Sequence, residues 1–235
     1  METKSVCPPI LSLGIVQTAY ANGASTKYLE TLLQSLDPKF FRTGIFCVPT
    51  GVKHLHRKAS EFDIALYFES NGHGTVIHKS EKLKEWANKV SNQKLTPSLE
   101  ILIHFLRLFN PVIGDAISDM LAFETCRNYL QGDFGAKFAM DLYDDLYVIQ
   151  DQIHLERRHL DTLICDKETE RFLLEPKQIQ ERLESYISQL DNASRAFIRP
   201  SGTENIARLY TEAPNPKLAN ELANFARNLI SSYFE

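Results

Sequence analysis

Short apolar runs alternate with amphipathic segments in the first third of the chain. Three of these segments are predicted to be buried strands: residues 14–18, 44–48 and 64–68. The run at 44–48 is continuous rather than alternating, which is typical of strands covered on both faces. Leucines with the i, i+3, i+4, i+7 spacing of one helix face follow the first run, at Leu29, Leu32, Leu33 and Leu36. Asn22-Gly23 predicts a turn before this helix, and Ser25 or Thr26 its N-cap. A second helical segment begins over residues 50–56, so the β-α-β-α-β order predicts a parallel sheet with helices on its faces.

The rest of the chain is predicted to be mostly helical up to about residue 130 and mixed after that. Residues 114–121 open a helix, and the acidic, tyrosine-rich stretch 141–151 is interpreted as the join between two domains. After an irregular stretch over 166–176, the pattern predicts an amphipathic helix over 176–190, a strand, a loop at Arg199, a strand and a last helix. That helix starts at Asn215-Pro216 and is predicted to bury Leu218, Leu222, Phe225, Leu229 and Tyr233.

These elements predict an α/β fold class. Residues 1–146 are predicted to form a three-layer α/β/α domain with a mixed, mainly parallel sheet, and residues 147–235 a smaller α+β domain. A chain of 235 residues is long enough for two such domains.

Composition and charge exclude several classes of function. The net charge of −4 gives no reason to expect nucleic acid or an anionic membrane as a partner. No run approaches the roughly 18 apolar residues of a membrane helix, and no secretory signal precedes residue 14, so the cytoplasm is the simplest compartment. The four cysteines are far apart and are expected to be reduced thiols.

The segment from Arg199 to Arg208 carries the chemistry expected of an anion site. Gly202 lets the backbone bend so that successive N–H groups converge, and Pro200 stiffens the entry to the turn. Ser201 and Thr203 add hydroxyl donors, while Arg199 adds a planar fork of donors. The alternative is a polar turn whose arginines are solvated.

A second polar loop, residues 69–75, follows the third predicted strand. Residues 76–78 are predicted to pair with the third strand as a short antiparallel strand. The loop therefore lies at the carboxyl end of the third strand, and open α/β sheets bind ligands at the carboxyl ends of their parallel strands. The carboxylate of Glu69, with Ser70 and the amide of Asn71, suits vicinal sugar hydroxyls. The alternative is an ordinary hairpin turn. Asp115 and Asp119 lie one helical turn apart and form either a cation pair or a solvated edge.

Several stretches, in order, resemble the phosphoacetylglucosamine mutases, a family of α-D-phosphohexomutases. The matching stretches are residues 16–23, 50–56, 62–64, 67–75, 114–121 and 195–210. Enzymes of this superfamily have four domains round one cleft, and the chain resembles the third and fourth. The resemblance implies that Glu69, Ser70 and Asn71 hold sugar hydroxyls. It also implies that the non-reacting phosphate is held by Arg199, Pro200, Ser201, Gly202, Thr203 and Arg208, and that Lys53 and His54 belong to a segment facing the cleft.

The family reaction is an isomerisation of N-acetylglucosamine phosphate on the way to UDP-N-acetylglucosamine. It shifts a phosphoryl group between O6 and O1 through a phosphoserine, with Mg²⁺ beside it. In this chain no serine is followed by histidine, as in the family's phosphoserine loop, and no two aspartates are separated by one residue, as in its metal loop. The sequence therefore predicts no catalytic residue, no metal ligand and no cofactor in this chain, and predicts that the chain alone is not a competent mutase.

Three hypotheses follow for these 235 residues. They act as the carboxy-terminal half of a mutase that meets a separate amino-terminal half; they form a non-catalytic module that binds the sugar phosphate; or they are a folded remnant. Residues 1–13 do not resemble the expected family sequence, which indicates an alternative start, a splice form or a truncated gene.

Overall fold

The computed structural model describes residues 10–90, 97–110, 112–134 and 142–234. Cys7 and most of the predicted irregular start of the chain lie outside these residues. The chain divides into two compact units. The first comprises Met1–Thr18, Thr26–Phe46 and Gly51–Tyr143, and the second comprises Ala19–Ser25, Cys47–Thr50 and Asp144–Glu235. The assignment of residues 1–146 and 147–235 as functional domains stays a prediction.

A four-stranded sheet organises the first unit. Its strands are β1 (Leu11–Gln17), β2 (Phe41–Cys47), β3 (Ile64–Phe68) and β4 (Gly74–His78), in the spatial order β2-β1-β3-β4. The described helices around it are α1 (Gly23–Gln34), α2 (Val52–Ala59), α3 (Ser80–Val90), α4 (Pro97–Leu106) and α5 (Ala116–Phe134). Strands β1 and β3 are parallel, while β4 returns antiparallel to β3. The predicted mixed, mainly parallel sheet is therefore confirmed.

Helix α1 starts earlier than the sequence predicts. It begins at Gly23, and the Asn22 side-chain oxygen accepts a hydrogen bond from the Ala24 N–H at 3.0 Å. The predicted N-caps Ser25 and Thr26 therefore lie inside the first turn. Asn22 serves as the cap because its carbonyl satisfies one of the free N–H groups at the start of the helix.

Gly74 lies where two backbones come too close for a side chain. A Cβ there would lie 2.5 Å from the Tyr67 carbonyl oxygen and 3.1 Å from the Phe68 Cα. Because Phe68 and Gly74 are direct partners in the β3–β4 ladder, neither backbone can move aside without breaking the pairing. We expect Gly74→Ala to lower the free energy of unfolding of the first unit by about 1–3 kcal/mol.

Trp86 reports on this change, since it is the only tryptophan of the chain and lies in the core of the first unit. Its fluorescence in a urea titration should give a lower midpoint for Gly74→Ala. The control is Gly202→Ala, because no atom lies within 4 Å of the added Cβ and the midpoint should not change. Equal midpoints for the two variants would contradict the close contact at Gly74.

The second unit is an α+β arrangement built on an antiparallel sheet of three strands. Its elements are β5 (Tyr147–His154), α6 (Arg157–Leu160), β6 (Ile164–Cys165), β7 (Leu173–Glu175), α7 (Lys177–Ile187), β8 (Arg195–Pro200), β9 (Ile206–Ala213) and α8 (Pro216–Phe234). The sheet has the order β5-β9-β8, and β6 pairs with β7 separately. The predicted amphipathic helix, strand, Arg199 loop, strand and last helix are all present in that order.

Two predictions for the second unit are wrong in detail. The irregular stretch at 166–176 contains β7. In α8, Tyr233 is 41% exposed rather than buried. The stretch interpreted as a join contains the boundary between the two units, after Tyr143, and also the first residues of β5. Strand β5 was missed because its apolar run, residues 146–149, is short and is followed by three polar residues; the strand lies at a sheet edge and buries only Ile153.

The two faces of the three-stranded sheet have different roles. Successive residues of a strand point to opposite faces, and one face packs its apolar residues in a core shared with α7 and α8. Ile198 and Leu209 belong to that core, with Ile179 and Leu222 from the helices. The opposite face carries three cross-strand pairs of β8 and β9: Arg195 with Glu212, Phe197 with Tyr210, and Arg199 with Arg208. The polar face therefore places the predicted anion-binding arginines side by side.

None of the described helices is long and apolar enough to cross a membrane. Cys47, Cys126 and Cys165 are free thiols, and burial raises the pKa of each. Thiols with raised pKa values are poor nucleophiles at neutral pH, so these cysteines suggest no chemistry.

Candidate functional site

Two arginines face each other at the end of the β8–β9 hairpin. Arg199 and Arg208 are direct partners in the register, so their Cβ atoms are about 4.5–5.5 Å apart on the same face. Like charges in this arrangement repel each other unless an anion neutralises them. Here carboxylates do so: Glu170 lies 3.2 Å from Arg199, and Glu204 lies 2.8 Å from Arg208. Two adjacent guanidinium groups still offer several N–H donors in one place, which suits a phosphate dianion.

The loop between the strands is held by its first residue. The Ser201 N–H donates to the Ile206 carbonyl at 2.9 Å, and the Ser201 hydroxyl oxygen accepts from the Glu204 N–H at 3.2 Å. Ser201 is 4% exposed, so its oxygen closes the turn while its O–H group can still donate. Arg157, which the sequence did not indicate, directs Nη1 toward the carbonyl oxygens of Ser201 and Gly202 at 3.4 and 3.5 Å.

The tip of this loop is open. Gly202 and Thr203 are exposed, and among the described residues their N–H groups have no hydrogen-bond partner. The backbone of Gly202 is not in the left-handed region, so the bend does not require glycine, contrary to the sequence-based argument. No atom lies within 4 Å of the position of a Cβ at Gly202. The missing side chain instead leaves the two N–H groups accessible to a ligand, while Pro200 ends β8 opposite Ala207.

Thr50 and Glu170 contact Arg199 and were not predicted. The Arg199 Nη1 donates to the Thr50 hydroxyl oxygen at 2.7 Å. The Thr50 backbone N–H and hydroxyl in turn donate to the same Glu170 carboxylate oxygen, at 3.1 and 2.9 Å. Thr50 was part of the sequence resemblance, which is the one signal that marked it.

An aromatic cluster lies beside the arginine pair. Phe197 and Tyr210 stack with ring centroids 4.9 Å apart, and Tyr20 meets both rings edge-on at 5.0 and 5.7 Å. Burial raises the pKa of Tyr20, although the charges of Arg199 and Arg208 act in the opposite direction. The Tyr20 phenol therefore stays protonated at neutral pH and keeps a hydrogen to donate.

A buried ion pair fixes the segment that carries Tyr20. Arg195 donates to Glu212 at 2.8 Å and to the carbonyl oxygens of Ala19 and Ala21 at 3.0 and 2.9 Å. Glu212 is 1% exposed and also accepts from the Gly23 N–H at 3.2 Å. These bonds attach residues 19–23 to the polar face of the sheet.

In the first unit, Glu69, Ser70 and Asn71 lie in the β3–β4 hairpin loop, at the end of β3 where the sequence predicts them. The Asn71 side-chain oxygen accepts from the His73 N–H at 2.9 Å, and Gly72 adopts a φ of +89°, which glycine allows. Ser70 and Asn71 are exposed, and Glu69 is half-buried. The loop thus presents polar groups to solvent, as a sugar-binding loop requires. Their role in sugar binding stays a prediction.

Two further candidate groups belong to helix starts. Lys53 is exposed and His54 half-buried in the first turn of α2. Asp115 caps α5, since its carboxylate accepts from the Ile117 N–H at 3.1 Å and the Ser118 hydroxyl at 2.8 Å. Burial, with Asp115 nearby, raises the pKa of Asp119. Within the described ranges there is no group of three or more His, Cys, Asp and Glu residues that could hold a metal ion. Of the two aspartates considered as a cation pair, Asp115 instead caps the helix.

Two family models match this chain. The model described as phosphoacetylglucosamine mutase AMG1, domain III, matches residues 2–131. The model described as phosphoglucomutase/phosphomannomutase, C-terminal domain, matches residues 166–229 and so includes the arginine pair.

Comparison with individual proteins also finds phosphoacetylglucosamine mutases. The phosphoacetylglucosamine mutase of Candida albicans is 37% identical over 227 residues, covering 94% of this chain and 38% of that protein. The human phosphoacetylglucosamine mutase is 38% identical over 223 residues, which cover 91% of this chain and 37% of the human protein. The crystal structure of Aspergillus fumigatus N-acetylphosphoglucosamine mutase in complex with GlcNAc-6P and magnesium matches with a TM-score of 0.77 at 34% identity, covering 94% of this chain and 42% of that one. The chain thus spans about two fifths of the length of these relatives.

Proposed function

Because this chain belongs to the phosphoacetylglucosamine mutase family, we propose that it binds N-acetylglucosamine phosphate and holds the phosphate group on the loop of residues 199–208. The observation that carries the proposal is the register of β8 and β9, which places Arg199 opposite Arg208. A phosphate dianion would accept two bonds from a guanidinium fork and would add to the neutralisation that Glu170 and Glu204 provide. The exposed N–H groups of Gly202 and Thr203 would add backbone donors.

In this proposal the hairpin loop of the first unit binds the sugar. The Glu69 carboxylate accepts hydrogen bonds from hydroxyl groups, while the Asn71 amide can donate to one oxygen and accept from another. The loop follows β3, at the edge where parallel strands end, which supports a ligand-binding role. Lys53 and His54 are assigned no direct role.

We assign no phosphoryl transfer step to the residues of this chain. Nothing in the sequence replaces the serine–histidine or Asp-x-Asp spacing of the reacting loops. The described residues also do not fit a magnesium site, since they contain no cluster of three acidic, histidine or cysteine ligands and Asp115 is used as a helix cap. The chain holds and orients the sugar phosphate; the transfer requires a polypeptide that supplies a phosphoserine and its metal.

An exposed apolar surface of the first unit supports such a partner. Ile117, Met120 and Leu121 share one face of α5 and are 68%, 57% and 52% exposed, and Val112 just before the helix is 75% exposed. Soluble monomers rarely expose adjoining large apolar side chains unless another protein covers them. We propose that this surface docks an amino-terminal half of the same enzyme family.

Titration with N-acetylglucosamine 6-phosphate tests the binding step. We expect saturable shifts of the Gly202 and Thr203 amide resonances with a Kd of about 1 mM, because only part of a closed site is present. Unphosphorylated N-acetylglucosamine should bind at least tenfold more weakly, since it lacks the charge that the arginines neutralise. Unchanged loop resonances at saturating sugar phosphate would rule out this function.

Complementation separates an enzyme half from a non-catalytic module. A separately produced amino-terminal half of a phosphoacetylglucosamine mutase, mixed with this chain and Mg²⁺, should restore isomerisation of N-acetylglucosamine 6-phosphate. The second candidate, a sugar-phosphate-binding module without turnover, is favoured by the missing reacting loops. Tight association of the two halves with ligand binding but no isomerisation would select it.

A further inference from the structure

Glu170 touches the phosphate-binding arginine from a rare backbone conformation. Its φ is +58°, in the left-handed region that residues with a Cβ seldom adopt. Such conformations persist only where the surrounding structure imposes them, and they are concentrated at binding and active sites.

A turn built round the carboxylate of Asp166 holds Glu170 in place. Asp166 accepts hydrogen bonds from the N–H groups of Thr169, Arg171 and Phe172 at 2.7, 2.9 and 3.1 Å. Burial alone would raise the pKa of Asp166, but these donors lower it overall, so the carboxylate stays ionised at neutral pH. The Glu170 N–H donates to the Asp166 carbonyl at 3.2 Å. The turn thus fixes the direction in which the Glu170 side chain leaves the backbone.

Glu170 and Thr50 both contact the same nitrogen of Arg199, Nη1. The Glu170 Oε2 lies 3.2 Å from Arg199 Nη1, and the same nitrogen donates to the Thr50 hydroxyl at 2.7 Å. Thr50 is itself fixed, because both its N–H and its hydroxyl donate to Glu170. Hydrogen bonds through Thr50 and the ion pair between Glu170 and Arg199 thus connect the three residues in a closed set. The Nη2 and Nε atoms of Arg199 lie outside it.

We propose that Glu170 is a positioning residue of the phosphate site: through Thr50 and Nη1 it orients Arg199 so that the guanidinium edge formed by Nη2 and Nε faces the bound phosphate. This inference rests on the phosphate-binding function proposed above. An arginine ordered in advance loses less conformational freedom on binding, which strengthens binding although the carboxylate lowers the local positive charge.

Glu204 offers a matched comparison within the same site. It also places a carboxylate against an arginine, Arg208, at 2.8 Å. However, its side chain is 55% exposed, and its contact is an ordinary surface ion pair, in which no other residue that the structure describes takes the place of Thr50. Glu204 therefore competes with an incoming anion, whereas Glu170 prepares the site for it.

The test measures the binding of inorganic phosphate and N-acetylglucosamine 6-phosphate to Glu170→Gln and Glu204→Gln. Each variant removes one negative charge next to one arginine, so a purely electrostatic role predicts tighter binding for both. The positioning role predicts that Glu170→Gln binds both ligands about three- to tenfold more weakly, and that Glu204→Gln, which removes a competing carboxylate, binds them more tightly than wild type. Equal or tighter binding by Glu170→Gln overturns the inference.

A second variant separates positioning from folding. Glu170→Gly removes the carboxylate and suits the left-handed backbone, so its thermal stability should equal or exceed that of wild type while its phosphate affinity falls. NMR of the Arg199 guanidinium should show faster rotation about Cζ–Nε in both Glu170 variants without ligand, a readout that stability alone does not change. A stable Glu170→Gly protein with wild-type affinity would refute positioning. Failure of wild type to bind phosphate would instead refute the proposed function.

Discussion

Replacing Arg195 with leucine is expected to unfold much of the second unit. The substitution leaves the Glu212 carboxylate, whose side chain is 2% exposed, without its counter-ion in the interior. Removing one partner of a buried ion pair typically costs about 3–5 kcal/mol, because the remaining charge is neither solvated nor paired. The carbonyl oxygens of Ala19 and Ala21 lose their donor as well.

The measurement is amide hydrogen exchange along β8 and β9, which should speed up in Arg195→Leu to the rate set by global unfolding of the unit. The control is the double variant Arg195→Leu, Glu212→Leu, which removes both charges and should recover part of the lost stability. Wild-type exchange rates in Arg195→Leu would show that the ion pair does not hold residues 19–23 to the sheet.

Local patterns were sufficient to predict most of the fold. The apolar runs of β1 and β3, the four-residue spacing of Ile179 and Leu183 in α7, and the Asn215-Pro216 start of α8 each depend on neighbours along the chain. The arginine loop was predicted for the same reason, since its donors are nearly contiguous in sequence. Strand β5 was missed because its short apolar run ends at Ile149, and its pairing with β9 extends the strand over the mainly polar residues that follow.

The surroundings of the arginine loop could not be predicted in this way. Thr50 is 149 residues from Arg199 and 120 residues from Glu170, and only the folded chain brings them together. The left-handed backbone of Glu170 has no sequence signal, because glutamate is not a residue that favours it. The sequence therefore indicated the residues proposed to bind phosphate but not those proposed to orient them.

Removing either arginine of the cross-strand pair should have the largest effect on ligand binding. Charge-assisted hydrogen bonds to a phosphate contribute about 1.5–3 kcal/mol, so we expect Arg199→Ala and Arg208→Ala each to lower the affinity for N-acetylglucosamine 6-phosphate by about 10- to 100-fold. Arg199→Lys keeps the charge but loses the planar guanidinium group. Its affinity for the sugar phosphate should therefore lie between those of wild type and Arg199→Ala. Calorimetry, or NMR titration where heats are small, gives the dissociation constants.

The matched control is Arg182→Ala. Arg182 is exposed on α7, a helix that packs on the apolar face of the sheet, and its loss changes the net charge by the same amount. Long-range attraction between the chain and an anion would weaken similarly in all three alanine variants and would depend strongly on salt. A specific site at the hairpin instead predicts wild-type affinity for Arg182→Ala and a large loss for the other two. Similar affinities for Arg182→Ala and Arg199→Ala would therefore argue against phosphate binding between Arg199 and Arg208.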